Sequence, residues 1–205
     1  MRFSLLLGFL LATFTSTALA ADLKYWIEPC VQASLVAKRP SSGCKADDPQ
    51  LAEWAVQAWQ KAAGGKLHLE KSATSARANI RIHWATAEDG QYGETRPFYD
   101  GSIKGAEVYV RPDLSAMGPE IADVARKDEL LRDAIVYLTC LHETGHALGL
   151  QHTADFPDIM YSFQFGGDIP EYFNRYRRQL KSRKDIADHT GISPQDQARL
   201  LKVIQ

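Results

Sequence analysis

Residues 142–152 read His-Glu-Thr-Gly-His-Ala-Leu-Gly-Leu-Gln-His, three histidines spaced around one glutamate and two glycines. On a helix, positions i and i+4 share a face, so His142 and His146 present two imidazoles in one direction. The upstream residues Leu130, Leu131, Ala134, Ile135, Leu138 and Leu141 recur at three-to-four spacing, which predicts a helix over 128–148. Gly149 supplies a backbone conformation that other residues resist, so the chain turns out of the helix there. His152 can then return as a third ligand. Neutral imidazole nitrogens suit zinc, and three protein ligands leave a fourth position for water, the pattern of a catalytic rather than a structural site. Zinc lowers the pKa of bound water from about 15.7 to near 7. Glu143 flanks the metal and is placed to take a proton from that water and pass it to a leaving amine. A buried helix whose histidines only satisfy local hydrogen bonds explains neither the break at Gly149 nor His152.

Six residues further on comes Asp158-Ile159-Met160-Tyr161. Together the two stretches resemble the zinc motif and methionine turn of the metzincin peptidases. Tyr137 to Tyr161 is most similar to the matrixin branch, with Thr144 where leucine is usual. The resemblance implies a zincin-type α/β fold: a twisted, mixed, mostly parallel sheet backed by helices. It implies one catalytic zinc held by His142, His146 and His152, with Glu143 as general base and acid. Met160 would form the hydrophobic base beneath the metal. Protein or peptide substrates would lie extended along a sheet edge, gripped by backbone hydrogen bonds. Ser162 stands where astacins and serralysins carry a tyrosine, so no fifth ligand is expected. Weaker likeness extends to Ala55–Trp59, Ala78–Ile82 and Ile192–Asp196. The family's second zinc and its calcium loops are not recognisable, so neither Ca2+ nor a structural zinc is carried over. Two rival readings are a zinc-containing module that binds a peptide or partner without turnover, and a narrow processing protease for one partner. Metal binding alone does not need Glu143, which argues against the module.

Residues 1–20 have the pattern of a signal peptide: Arg2, an apolar run from Leu5 to Phe14, and Ala18-Leu19-Ala20 at the cleavage point. The run is too short to span a bilayer, so no integral membrane association is expected. A secreted or periplasmic location follows. In an oxidising compartment Cys30 and Cys44 are expected to pair, pinning an N-terminal segment over 21–48 that shows little periodicity. Cys140, within the apolar helix, reads as a buried, inert thiol. The catalytic domain is assigned to 49–205. Too few residues precede it for a prodomain, so restraint would fall to an inhibitor in trans. A formal net charge of −1 gives no argument for nucleic acid as a partner.

A helix is predicted with Asp48 as its cap and Pro49 at its first position, with Leu51, Trp54, Ala55, Ala58, Trp59 and Ala62 as its stripe, ended by Gly64-Gly65. Leu67/Leu69, Ala78–Trp84 and Ala106–Val110 alternate as strands do, with His68 and His83 on their polar faces. Residues 85–104 are rich in Gly, Asp and Pro and read as a loop carrying Tyr92, Phe98 and Tyr99. Glu171 to Lys184 reads as a helix whose arginines and lysines form a solvated face bordering the cleft. Ser193-Pro194-Gln195-Asp196 is a capping box for a last helix, with Ala198, Leu201, Val203 and Ile204 expected inward.

Overall fold

The computed structural model describes residues 21–30, 42–86 and 92–205. The signal-peptide pattern lies outside them. Three strands fall on the alternating runs: β2 (Leu67–Lys71), β3 (Ile80–Trp84) and β5 (Ile103–Val110). Two more stand where the sequence reading has none. Strand β1 (Ala21–Ile27) opens the segment read as aperiodic. Its inward residues Tyr25 and Ile27 do alternate with outward ones, but Trp26 on the outward side masks the pattern. Strand β4 (Gly93–Asp100) occupies the expected loop. Gly, Pro and Asp are tolerated there because β4 is an edge strand. The sheet order is β2-β1-β3-β5-β4. The pairs β1–β2, β1–β3 and β3–β5 are parallel and β4–β5 is antiparallel.

Helices α1 (Asp48–Ala62) and α3 (Glu129–Ala147) supply the packing partners of the sheet. Leu51, Val56 and Trp59 of α1, Ile135, Tyr137 and Leu141 of α3, and Ile80, Ile82, Val108 and Val110 of the strands share one buried core. The Trp59 indole N–H donates to the Leu141 carbonyl at 2.8 Å, locking α1 onto the middle of α3. The expected cap, Asp48, is instead the first helical residue of α1. Its carboxylate is fully buried and pairs with Arg132 of α3, a partner too distant in sequence to be foreseen. Cys30 and Cys44 are disulfide-bonded, and Cys140 is buried and free.

Three further expectations need correction. His83 is half-buried rather than solvent-facing, stacked on Tyr109 with Trp26 at its edge. The basic helix is shorter than expected: α4 spans Ile169–Arg177, and a separate turn, α5, spans Asp185–Asp188. Its arginines are not a free face. Arg177 pairs with Asp128, Arg183 with Asp133, and Arg175 donates to the Phe156 and Pro157 carbonyls. In α6 (Pro194–Val203) the capping box is formed, but Asp196 and Leu200 face inward while Ala198 and Val203 are exposed. A buried aspartate turns this helix, which hydrophobic patterning alone cannot anticipate. The remaining helix, α2 (Pro119–Ala125), precedes α3. No described helix is long and apolar enough to cross a membrane.

Candidate metal centre

The apolar face of α3 runs into its own C-terminal turn, so His142 and His146 leave the helix at the floor of a cleft of about 570 Å³. Helix α3 closes at Leu148, and Gly149, with φ of +96°, reverses the chain. His152 thereby meets the other two. The three Nε2 atoms lie 3.1 Å from one another. His142 Nδ1 sits 2.7 Å from the Ile159 carbonyl, and His146 Nδ1 sits 2.8 Å from the Leu150 carbonyl. A carbonyl can only accept, so both Nδ1 atoms carry the proton and both Nε2 lone pairs are free. Burial drives the His142 pKa down to about 4, helped by the neighbouring histidines and opposed by the Ile159 contact. Burial and His146 also lower that of His152. Burial thus disfavours the charged form of His142 and His152, and a metal requires the neutral one. The bare Nε2 atoms of His142 and His146 cannot hydrogen-bond each other. A triangle of this size fits around one cation at the roughly 2.0–2.1 Å typical of zinc–imidazole bonds. Cys30, Cys44 and Asp48 also lie close together, but there the sulfurs are spent on each other.

Glu143 points from the same helix toward strand β4. Burial pushes its carboxyl up to about 7; the Thr95 hydroxyl opposes this and Glu94 adds to it. That hydroxyl lies 2.7 Å from Glu143 Oε2 and 2.9 Å from the Glu143 carbonyl. Gly93 lets the strand come this close. A Cβ at residue 93 would stand 2.6 Å from Glu143 Oε1 and 2.9 Å from Thr139 Cγ2. Thr95 and Gly93 escaped the sequence reading because β4 itself did.

Met160 is fully buried beneath α3. A Cβ at Gly145 would lie 2.5 Å from its sulfur, so the glycine between the paired histidines makes room for the methionine turn. The turn is fixed from the far end of the chain. Asp196 of α6 accepts the Ile159 N–H at 2.7 Å, while the Ile159 carbonyl faces His142. Ser193 Oγ lies 2.6 Å from Asp158 Oδ1, and Arg199 pairs with both Asp158 and Asp196. The Tyr172 hydroxyl of α4 donates to the Asp158 carbonyl at 3.0 Å. Phe163, Tyr172 and Phe173 line one end of the cleft with Leu138 and Ile169. Their rings meet edge to face, an apolar recess beside the three histidines.

A family model described as Matrixin matches residues 32–169, which covers α1, strands β2 to β5, the histidine helix and the methionine turn. No curated protein matches the chain.

Proposed function

The chain belongs to the matrixin family of zinc-dependent endopeptidases, and from that premise we propose that it cleaves peptide bonds with His142, His146 and His152 as zinc ligands and Glu143 as general base and acid. The observation that carries this reading is the convergence of three Nε2 atoms, 3.1 Å from one another, beside a carboxyl that burial pushes up to about 7. Bound zinc would supply Lewis acidity, sharpening a water molecule and polarising the substrate carbonyl. Glu143 accepts the proton released as that water attacks, and returns it to the departing nitrogen. A group whose pKa lies near the working pH is suited to both halves of that transfer. Thr95 fixes which Glu143 oxygen faces the cleft. The Ile159 and Leu150 carbonyls hold the His142 and His146 rings in the ligating tautomer, the usual outer-shell task at such sites. Met160 underlies the ligands, and the free edge of β4 offers backbone groups to an extended substrate. The disulfide and the leader-like residues 1–20 support a working place outside the cytoplasm.

The test compares the wild type with Glu143→Gln on a peptide library, with and without chelator, alongside zinc content. Expected is cleavage by the wild type alone, abolished by chelator, with the variant reduced by about 10²–10⁴ while keeping one zinc per chain. Two zinc-loaded proteins that both leave every peptide intact would instead identify a binding module. Cleavage confined to one folded protein would identify a processing enzyme.

A further inference from the structure

Among the described residues, strand β4 is an edge of the sheet, hydrogen-bonded to β5 on one side only. The Arg111 N–H donates to the Tyr92 carbonyl at 3.0 Å, and these two residues continue the β4–β5 register by one step. In an antiparallel ladder directly opposed pairs alternate between bonded and non-bonded. Residues 94, 96 and 98 therefore turn their backbone groups to β5, and residues 93, 95, 97 and 99 turn theirs to the free edge. That edge offers an N–H at Gly93 and at Thr95. At residue 97 it offers none, because proline has no N–H to give. Its carbonyl remains.

Thr95 touches Glu143, so it stands level with the bond to be cut. The recess lies to one side of this level, where β4 contributes only Gly93 and Glu94 to the lining. Pro97 lies on the other side, two residues or about 6.8 Å along the strand. Resting on the peptidase reading above, we propose that Pro97 is a specificity determinant: it interrupts the donor ladder one rung beyond the scissile bond, on the side away from the recess, before the N–H of Tyr99. A substrate residue opposite Pro97 can donate to its carbonyl but receives nothing back. The enzyme accordingly reads its substrates on the recess side and is nearly indifferent to the residue opposite Pro97. Pro97 is exposed and sits at a non-bonded position of the edge, so its role in the ladder within the sheet is small.

The experiment measures kcat/KM for a cleaved peptide that ends, on the side away from the recess, at the residue opposite Pro97, and for the same peptide without that residue. The wild type should lose less than threefold on shortening. The Pro97→Ala variant, which restores the N–H, should prefer the longer peptide by about three- to tenfold more than the wild type does, the worth of one net backbone hydrogen bond. A wild-type loss above tenfold overturns the proposal, as does a Pro97→Ala enzyme with the wild-type ratio. If the variant does not fold, the wild-type shortening series decides alone. Zinc-loaded wild type that cleaves no peptide overturns the peptidase reading and this one with it; cleavage with steep dependence on the residue opposite Pro97 overturns this one only.

Discussion

Replacing Asp196 with alanine tests how far the histidine cluster depends on the last helix. Asp196 is fully buried. It accepts the Ile159 N–H at 2.7 Å, the Ser193 N–H at 3.2 Å and a contact from Arg199 at 2.8 Å. Alanine leaves two buried backbone donors, Ile159 and Ser193, without an acceptor, at about 1–3 kcal/mol each; the Ser193 bond is its half of the capping box. Arg199 keeps Asp158, so its loss is partial. The sum, about 2–6 kcal/mol, is a large share of the roughly 5–15 kcal/mol that holds a domain folded. At about 2–4 °C per kcal/mol for a chain of this size, Tm should fall by about 4–24 °C. The functional consequence is separate. The Ile159 peptide links Asp196 to His142, so a loosened peptide releases the ring that it orients. Zinc affinity should weaken about 10–100-fold, read by competition with a chromophoric chelator at a temperature where the variant is folded. Asp196→Asn keeps an acceptor for Ile159 and should fall between the two, while Lys202→Ala on the exposed side of α6 should match the wild type. A Tm within 2 °C of wild type refutes the burial argument. A destabilised variant that holds zinc normally refutes the link from α6 to His142.

Gly93→Ala places a methyl group against Glu143 and Thr139; kcat should drop by at least tenfold with zinc content unchanged, and an enzyme of normal turnover would show that β4 yields freely. Converting Cys30 and Cys44 together to serine opens a loop of about 15 residues and should cost about 3 kcal/mol in urea unfolding. Asp128 caps α3 through the Leu131 N–H and pairs with Arg177. Burial alone would raise its pKa, but these bonds outweigh it and the group lies below the usual carboxylate range. A depressed folded pKa stabilises above the unfolded value of about 3.9 and loses that stabilisation as pH falls through the folded one. Asparagine caps as well as aspartate, so Asp128→Asn isolates the charge. Its deficit should stay below about 1 kcal/mol at pH 7, given a third-exposed partner pair, and be smaller at pH 3 in unfolding curves. A deficit that is equal at both pH values would assign the effect to the cap.

The fold was legible wherever one side chain's burial repeats at a fixed period. Helix α3 and strands β2, β3 and β5 satisfy that condition, and their boundaries fall within a few residues of the pattern. Strand β4 violates it because an edge strand beside a cleft answers to other demands: Gly93 to let Glu143 approach, Pro97 where no ladder bond is made. Helix α6 violates it differently. Its inward residue Asp196 is buried for its acceptors, so an apolar stripe predicts the wrong face. Arg177 of α4 and Arg183 beyond it read as a solvated surface because their partners, Asp128 and Asp133, lie about fifty residues away in the sequence.

The same division separates the proposed metal ligands from the groups that aim them. His142 and His146 are neighbours by helical geometry, and His152 follows one glycine-mediated reversal, so all three are fixed by local chemistry that any reader of the chain can follow. The orienting groups are tertiary. Thr95 reaches Glu143 across 48 residues and Asp196 reaches Ile159 across 37. A short motif therefore specifies which atoms meet the metal but not how rigidly they are held. That rigidity comes from β4 on one side and α6 on the other, two elements with weak sequence signatures of their own. Substitutions there should alter metal retention and turnover while leaving every residue of the motif intact, and substitutions of the exposed residues of α1 should alter neither.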